Sequence, residues 1–211
     1  MNEIAPGIFH WTAEHPDIRM RVSSYYVEPA GIVIDPLEPE DGMGFFEALD
    51  PAPQQVVLTS GLHWRHSDRF RDRLGMTVRA PSPGFHRWEG SDRSAEPYEF
   101  GGEVAPGVQA VEVGGISPDD GALHIRHGAG AIAFADALVH TGGVLGFVPD
   151  SLWADPRAEQ EAVRDSLRGL LGRDFDVLLF AHGEPLARGG HAALHDFLKK
   201  PVGQPDFGHT A

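Results

Sequence analysis

The segment Thr59-Ser60-Gly61-Leu62-His63-Trp64-Arg65-His66-Ser67-Asp68 decides how this chain is read. It follows Val56-Val57-Leu58, a short, continuously apolar run of the kind buried on both faces of a sheet. It leads into residues 67–74, where Ser67 is placed to cap a short helix, Phe70 and Leu74 share a face, and Gly75 ends it. Two imidazoles at i and i+3, in a loop between a buried strand and a helix, can face one ion. They can equally hydrogen-bond backbone at a helix start, and the segment alone does not choose.

Working outward, the same arrangement recurs twice. The apolar run 131–134 leads into Ala135-Asp136, and the run 177–180 leads into Ala181-His182-Gly183. A carboxylate at the end of a buried strand needs a partner, because an unpaired buried charge is costly. Proteins that mix strands and helices tend to keep their sites at such strand ends.

The rest of the chain frames these segments. Residues 24–27 and 31–34 flank Glu28-Pro29-Ala30 and read as a hairpin. Residues 76–79, 108–113 and 122–125 read as strands, and the Pro-, Gly- and charge-rich stretch 81–107 as an irregular excursion. Asp155-Pro156 is an N-cap and first-turn pair. Val163, Leu167, Leu170 and Leu171 continue it as an apolar stripe that closes at Gly172. A last helix spans about 191–200 and stops at Pro201. Strands first, then alternating strands and helices, suit helices covering the outside of two mixed sheets. The pattern alone gives α/β or α+β.

Composition narrows the function classes. A formal net charge of -14 repels phosphate backbones and anionic headgroups, and no run of Lys or Arg offsets it. With no cysteine, disulfides, thiolate ligands and a cysteine nucleophile are excluded. The start, Met1-Asn2-Glu3-Ile4-Ala5-Pro6, lacks the basic and apolar regions of a signal peptide, and no segment reaches membrane-span length. The expectation is a soluble cytoplasmic protein acting on a small molecule, with no nucleic-acid or membrane partner and its oligomeric state open. The 26 glycines and 17 prolines are spread along the chain, which argues for one domain over 1–211, with a loose tail over about 201–211.

Taken in order, these segments resemble the metallo-β-lactamase superfamily over nearly the whole chain. Ile4-Ala5-Pro6-Gly7-Ile8-Phe9 is similar to the family's opening strand, and Gly31-Ile32-Val33-Ile34-Asp35-Pro36 to its second hairpin, which ends in an aspartate. Val57-Leu58-Thr59 resembles the strand leading into the His-x-His-x-Asp-His signature. Val113-Gly114-Gly115-Ile116-Ser117-Pro118 resembles the Gly-His-Thr-Pro segment. Phe134-Ala135-Asp136-Ala137-Leu138 resembles the Gly-Asp-Ala-Leu segment, and Phe180-Ala181-His182-Gly183 the closing Gly-His-Gly.

The resemblance implies an α+β, four-layered αββα sandwich and a metal centre, but a depleted one. With one inserted residue, Ser60 falls near the place of the first signature histidine and His63 at the second. Arg65 falls where the metal-binding aspartate belongs, and His66 at the last histidine. Ile116 takes the place of the third ligand of the first metal. Asp136 matches the bridging carboxylate, and His182 the last ligand of the second metal.

Two readings follow. In the first, His63, His66, Asp136 and His182 hold at most one divalent ion, zinc first and iron or manganese next. Asp136 and Arg65 then act on an ester, thioester, amide or phosphoester. In the second, the site is metal-free and Arg65 pairs with Asp136 in place of the ion's charge. An arginine at roughly 5 Å from a divalent cation costs about 6–7 kcal/mol at an effective dielectric of about 20. That is a large part of the roughly 10–16 kcal/mol that four good ligands supply.

Overall fold

A computed structural model describes residues 1–201, so the tail expected over 201–211 lies, apart from Pro201, outside the described residues. The first sheet contains β1 (Asn2–Ala5), β2 (Ile8–Glu14), β3 (Arg21–Val27), β4 (Ile32–Ile34), β5 (Gln55–Val57), β6 (Thr77–Pro81) and β7 (Glu96–Tyr98), in sequence order. Its first four strands run antiparallel, and β4 to β7 run parallel. The second sheet is formed from β8 (Glu103–Ala105), β9 (Val108–Glu112), β10 (Gly121–Ile125), β11 (Ala131–Phe134) and β14 (Val177–Phe180). Its order is β14-β11-β10-β9-β8, with β11 and β14 parallel. β12 (Val139–Thr141) and β13 (Val144–Gly146) form a separate hairpin.

The side-chain period of two sorts each strand between layers. Ile32, Ile34, Leu123, Ile125, Ala131, Ala133, Val177 and Leu179 point between the sheets. Val33, Val56 and Leu58 point outward to Phe46 of α1 (Gly44–Glu47) and Phe70 of α2 (Ser67–Leu74). Ile132, Phe134, Leu178 and Phe180 point the other way, to Val163 and Leu167 of α3 (Pro156–Leu170) and Leu194 of α4 (Gly190–Lys199). Three apolar clusters between four layers give the αββα sandwich.

Several local expectations hold. The hairpin over 28–30 is a 3-10 turn between β3 and β4. Asp155 caps α3 by accepting from the Ala158 N–H, and Gly75 closes α2 with φ +70°. Others need correction. Ser67 is the first residue of α2 rather than its cap; His66 occupies the cap position without a side-chain cap bond. The stretch 81–107 is not irregular: it carries a 3-10 helix over Ser82–Trp88, then β7 and β8. Prolines and glycines there punctuate short elements that the composition alone hides. Among the described residues no helix is long and apolar enough to cross a membrane.

Two cross-links between the sheets position the site. Tyr25 donates its hydroxyl to the Phe180 carbonyl at 2.9 Å and accepts from the Phe180 N–H at 3.0 Å. The Gly121 N–H donates to the Thr59 carbonyl at 3.1 Å, and the Ala135 N–H to the Gly121 carbonyl at 3.1 Å. The ends of β4, β5, β11 and β14 are thereby gathered at one edge of the sandwich.

Candidate metal centre

Each candidate side chain leaves a strand end. β4 runs out at Ile34 into Asp35, which has φ +45° and is buried. Its Oδ1 accepts from the Thr59 N–H at 2.8 Å, and its Oδ2 from the Thr59 hydroxyl at 2.5 Å. Oδ2 also lies 3.0 Å from His63 Nδ1. Since the carboxylate can only accept, Nδ1 carries the proton and Nε2 is turned to the other side. There it lies 3.4 Å from Asp136 Oδ2, while His182 Nε2 lies 3.2 Å from Asp136 Oδ1.

His63, Asp136 and His182 thus form one group, each offering a ligand atom within 4.8 Å of the others. A tetrahedral ion with ligands at 2.0–2.2 Å sets its ligand atoms about 3.3–3.6 Å apart. Each histidine lies at about that edge length from one oxygen of Asp136, His63 from Oδ2 and His182 from Oδ1. His63 Nε2 and Asp136 Oδ1 are buried and have no hydrogen-bond partner among the described residues, as ligand atoms facing an ion would be. Two imidazoles and one carboxylate suit zinc or iron, and three protein ligands leave the open position typical of a catalytic centre. The donors therefore fit a single ion. They are a hybrid of the resemblance's two half-sites: one ligand from each, plus the bridge.

The electrostatics are strongly coupled. Burial draws the His63 imidazole down, but Asp136 and Asp35 on its two sides lift it to about 10. Burial pushes Asp136 up, yet His63 and His182 hold it far below the usual carboxylate range. With both ring nitrogens protonated, His63 is an imidazolium held between two carboxylates, Asp35 at 3.0 Å and Asp136 at 3.4 Å.

Two expected site residues are elsewhere. His66 is outside the group: its Nδ1 accepts from the Glu38 N–H at 3.1 Å, and its own N–H donates to the Pro36 carbonyl at 3.0 Å. The start of α2 turns it toward the segment after β4. Arg65 does not pair with Asp136 either. Its Nη1 donates to the carbonyls of Ser23 at 2.7 Å and Asp35 at 2.6 Å, and its Nη2 to that of Ala181 at 3.3 Å. The arginine ties together the ends of β3, β4 and β14, and φ +46° turns its backbone for the task.

Sequence reasoning missed Asp119 and Asp120, a doublet just before β10. Asp119 is fully buried and accepts from the Gly61 N–H at 2.5 Å; Ser117 and Arg87 also hold it. The Ser60 hydroxyl also donates to Asp119 Oδ2 at 3.4 Å, and Asp120 Oδ2 accepts from the Ser117 N–H at 3.1 Å. The signal was a pair of adjacent acids in an apolar neighbourhood, and its meaning depends on strand register.

No family model matches the chain, and no curated protein matches it. Solved structures do. A metallo-β-lactamase family protein from Thermus thermophilus superposes with TM-score 0.64 at 16% identity, over 93% of this chain and 80% of that one. The metallo-β-lactamase FIM-1 from Pseudomonas aeruginosa, in its mono-zinc form, gives TM-score 0.69 at 12% identity, over 93% of each chain. A structure described as a di-iron-bound form gives 0.59 at 21% identity, over 87% of this chain and 91% of that one. With the αββα layering and the histidine–aspartate–histidine group at the gathered strand ends, these likenesses establish that the chain has the metallo-β-lactamase fold.

Proposed function

We propose that this protein is a hydrolase that works with one divalent metal ion held by His63, Asp136 and His182. The observation that carries the reading is the convergence of those three ligand atoms, two of them buried without another partner among the described residues. A bound zinc or iron supplies Lewis acidity and lowers the pKa of water to about 7. The chain's own residues do the rest. Asp35 fixes the His63 tautomer, so that Nε2 presents a lone pair. Asp136 neutralises charge at the floor of the site. His182, at 19% side-chain exposure, is the ligand nearest solvent, and the site opens at its side. The substrate class is a carboxylic ester, thioester, amide or phosphoester of a small molecule.

Elemental analysis of the purified chain tests this, together with hydrolysis of activated esters, thioesters and phosphodiesters. The expected result is about one metal per chain, with His63→Ala and His182→Ala each losing metal and activity. A chain that takes up no zinc, and whose Tm zinc does not raise, overturns it.

One observation favours a metal-free module instead. As an imidazolium between Asp35 and Asp136, His63 satisfies both carboxylates with no ion. The charge-replacing role expected of Arg65 then falls to His63.

A further inference from the structure

A formal charge of -14 disfavours anionic partners over the surface as a whole, but the fold gathers cations at one place. Arg157, Glu161, Arg164 and Arg168 follow one another at steps of four, three and four residues, so they share one face of α3. Arg164 is the buried member of this row. Its guanidinium donates to the Leu198 carbonyl at 2.6 Å and to the Lys200 carbonyl, at the last turn of α4. The last carbonyls of a helix lack partners within it, so the arginine docks the end of α4 onto α3. Lys199 and Lys200, the chain's two lysines, are thereby brought beside the α3 row. These six residues line an open cavity of about 490 Å³.

Five of the chain's 17 Lys and Arg residues thus meet at one cavity. Fewer carboxylates oppose them. Glu161 lies 3.7 Å from Arg168, Asp165 also pairs with Arg168, and Asp196 lies 3.0 Å from Lys199. Arg157 makes no hydrogen bond or ion pair among the described residues. The pairs are solvent-exposed, and exposed pairs hold their partners weakly, so a multivalent anion can displace them. Salt screens the acidic remainder of the surface beyond about 8 Å. A bilayer or a nucleic acid would still press against that acidic surface along its whole contact. A small anion inside the cavity meets the cations alone. The volume falls within the range of small-molecule sites, roughly 300–1,000 Å³.

We infer that this α3–α4 cavity binds a small soluble molecule carrying two or more phosphate groups. Guanidinium groups match phosphate oxygens two at a time. Residues three and four apart on a helix have Cβ atoms about 5–6 Å apart, so successive arginines of the row can reach successive phosphates. Each phosphate carries more charge than a carboxylate and suits a cluster of five cations better. The cavity shares no residue with the metal centre, and the inference is independent of the hydrolase reading.

Calorimetric titration of the full chain with inorganic triphosphate at low salt tests it. The expected result is one triphosphate per chain, with an affinity that falls as salt is raised. R157Q and K199Q are each expected to weaken binding about tenfold, and the two together about 100-fold. Both side chains are exposed, so the variants fold. R71Q makes the same charge change on α2, in the opposite helical layer, and leaves the affinity unchanged. H182A, which removes a metal ligand, also leaves it unchanged. A wild-type chain that binds no triphosphate overturns the inference. So does an R71Q as weakened as R157Q, which would make binding an effect of net charge. Loss of binding in H182A would place the triphosphate on the metal centre and overturn it too. Binding to phosphatidic acid vesicles as strong as to triphosphate overturns the assignment to a small soluble molecule.

Discussion

Asp35 Oδ2 and His63 Nδ1 lie 3.0 Å apart in the interior, so the ring that faces Asp136 with one nitrogen is oriented through the other. Removing such an outer partner from a metal-binding histidine typically costs 10–100-fold in metal affinity. Asp35→Ala is therefore expected to weaken zinc binding by about 10–100-fold, read by competition with a chromophoric chelator. Asp35→Asn, which can still accept from Nδ1, is expected to fall between. Wild-type affinity in Asp35→Ala would separate His63 from the metal altogether.

Proton and metal compete for His63. Its folded-state pKa, raised to about 10, exceeds the unfolded value of 6.5. The imidazolium therefore contributes stability that is full below pH 6.5 and is lost as pH rises toward 10. In chelator, the Tm is expected to fall across that window, and His63→Ala should flatten the fall. Zinc must displace this proton, so its apparent affinity is expected to rise about tenfold per pH unit between pH 6 and 8. Calorimetry at both ends, with proton release followed in buffers of different ionisation enthalpy, checks the sign. A pH-independent affinity would show that His63 is not a ligand.

The fold was legible because continuously apolar runs such as 131–134 and 177–180 mark strands buried on both faces, and because the order of the segments resembles one family; which residue of each run faces which layer came only with the structure. Asp136 and His182 were legible for the same reason, each standing directly after such a run. Arg65 and His66 were misread because spacing along a loop does not fix side-chain direction. The positive φ at Arg65 turns it across the strand ends, and the next residue starts a helix. Asp119 was invisible because the groups that hold it, the Gly61 N–H and the Arg87 guanidinium, lie far from it in the chain.

Arg65 is now expected to act on stability rather than on metal. Its guanidinium serves three carbonyls, those of Ser23, Asp35 and Ala181. Hydrogen bonds involving a charged group contribute about 1.5–3 kcal/mol each when their loss leaves a buried acceptor unpaired. Water reaches part of this half-buried site, so Arg65→Met is expected to cost about 3 kcal/mol in total, measured by urea unfolding. Arg65→Asp should cost more, because its carboxylate would face carbonyl oxygens and stand near Asp35 and Asp136. A neutral Arg65→Met would make the three contacts incidental.

Gly183 tests whether the strand end after β14 sets the position of His182. Its φ is +96°, and a Cβ there would lie 1.8 Å from the His140 carbonyl oxygen. The neighbouring contacts leave little room to move. The Glu184 N–H donates to that same oxygen at 2.9 Å, His140 Nδ1 donates to the Glu184 carbonyl at 2.6 Å, and the Ser23 hydroxyl donates to the Gly183 carbonyl at 2.9 Å. Gly183→Ala must therefore displace backbone, not merely rotate a side chain. Left-handed strain of about 1–2 kcal/mol, with overpacking of about 1–3 kcal/mol, gives an expected destabilisation of about 2–5 kcal/mol. Because His182 is the preceding residue, zinc affinity should fall as well. His182→Ala is the control: it should lose the metal with a smaller loss of stability, since its side chain is partly exposed. A Gly183→Ala protein that unfolds like wild type and binds zinc like wild type would mean that the 182–184 segment adapts freely, and that the close approach of Gly183 to His140 does not hold the third ligand in place.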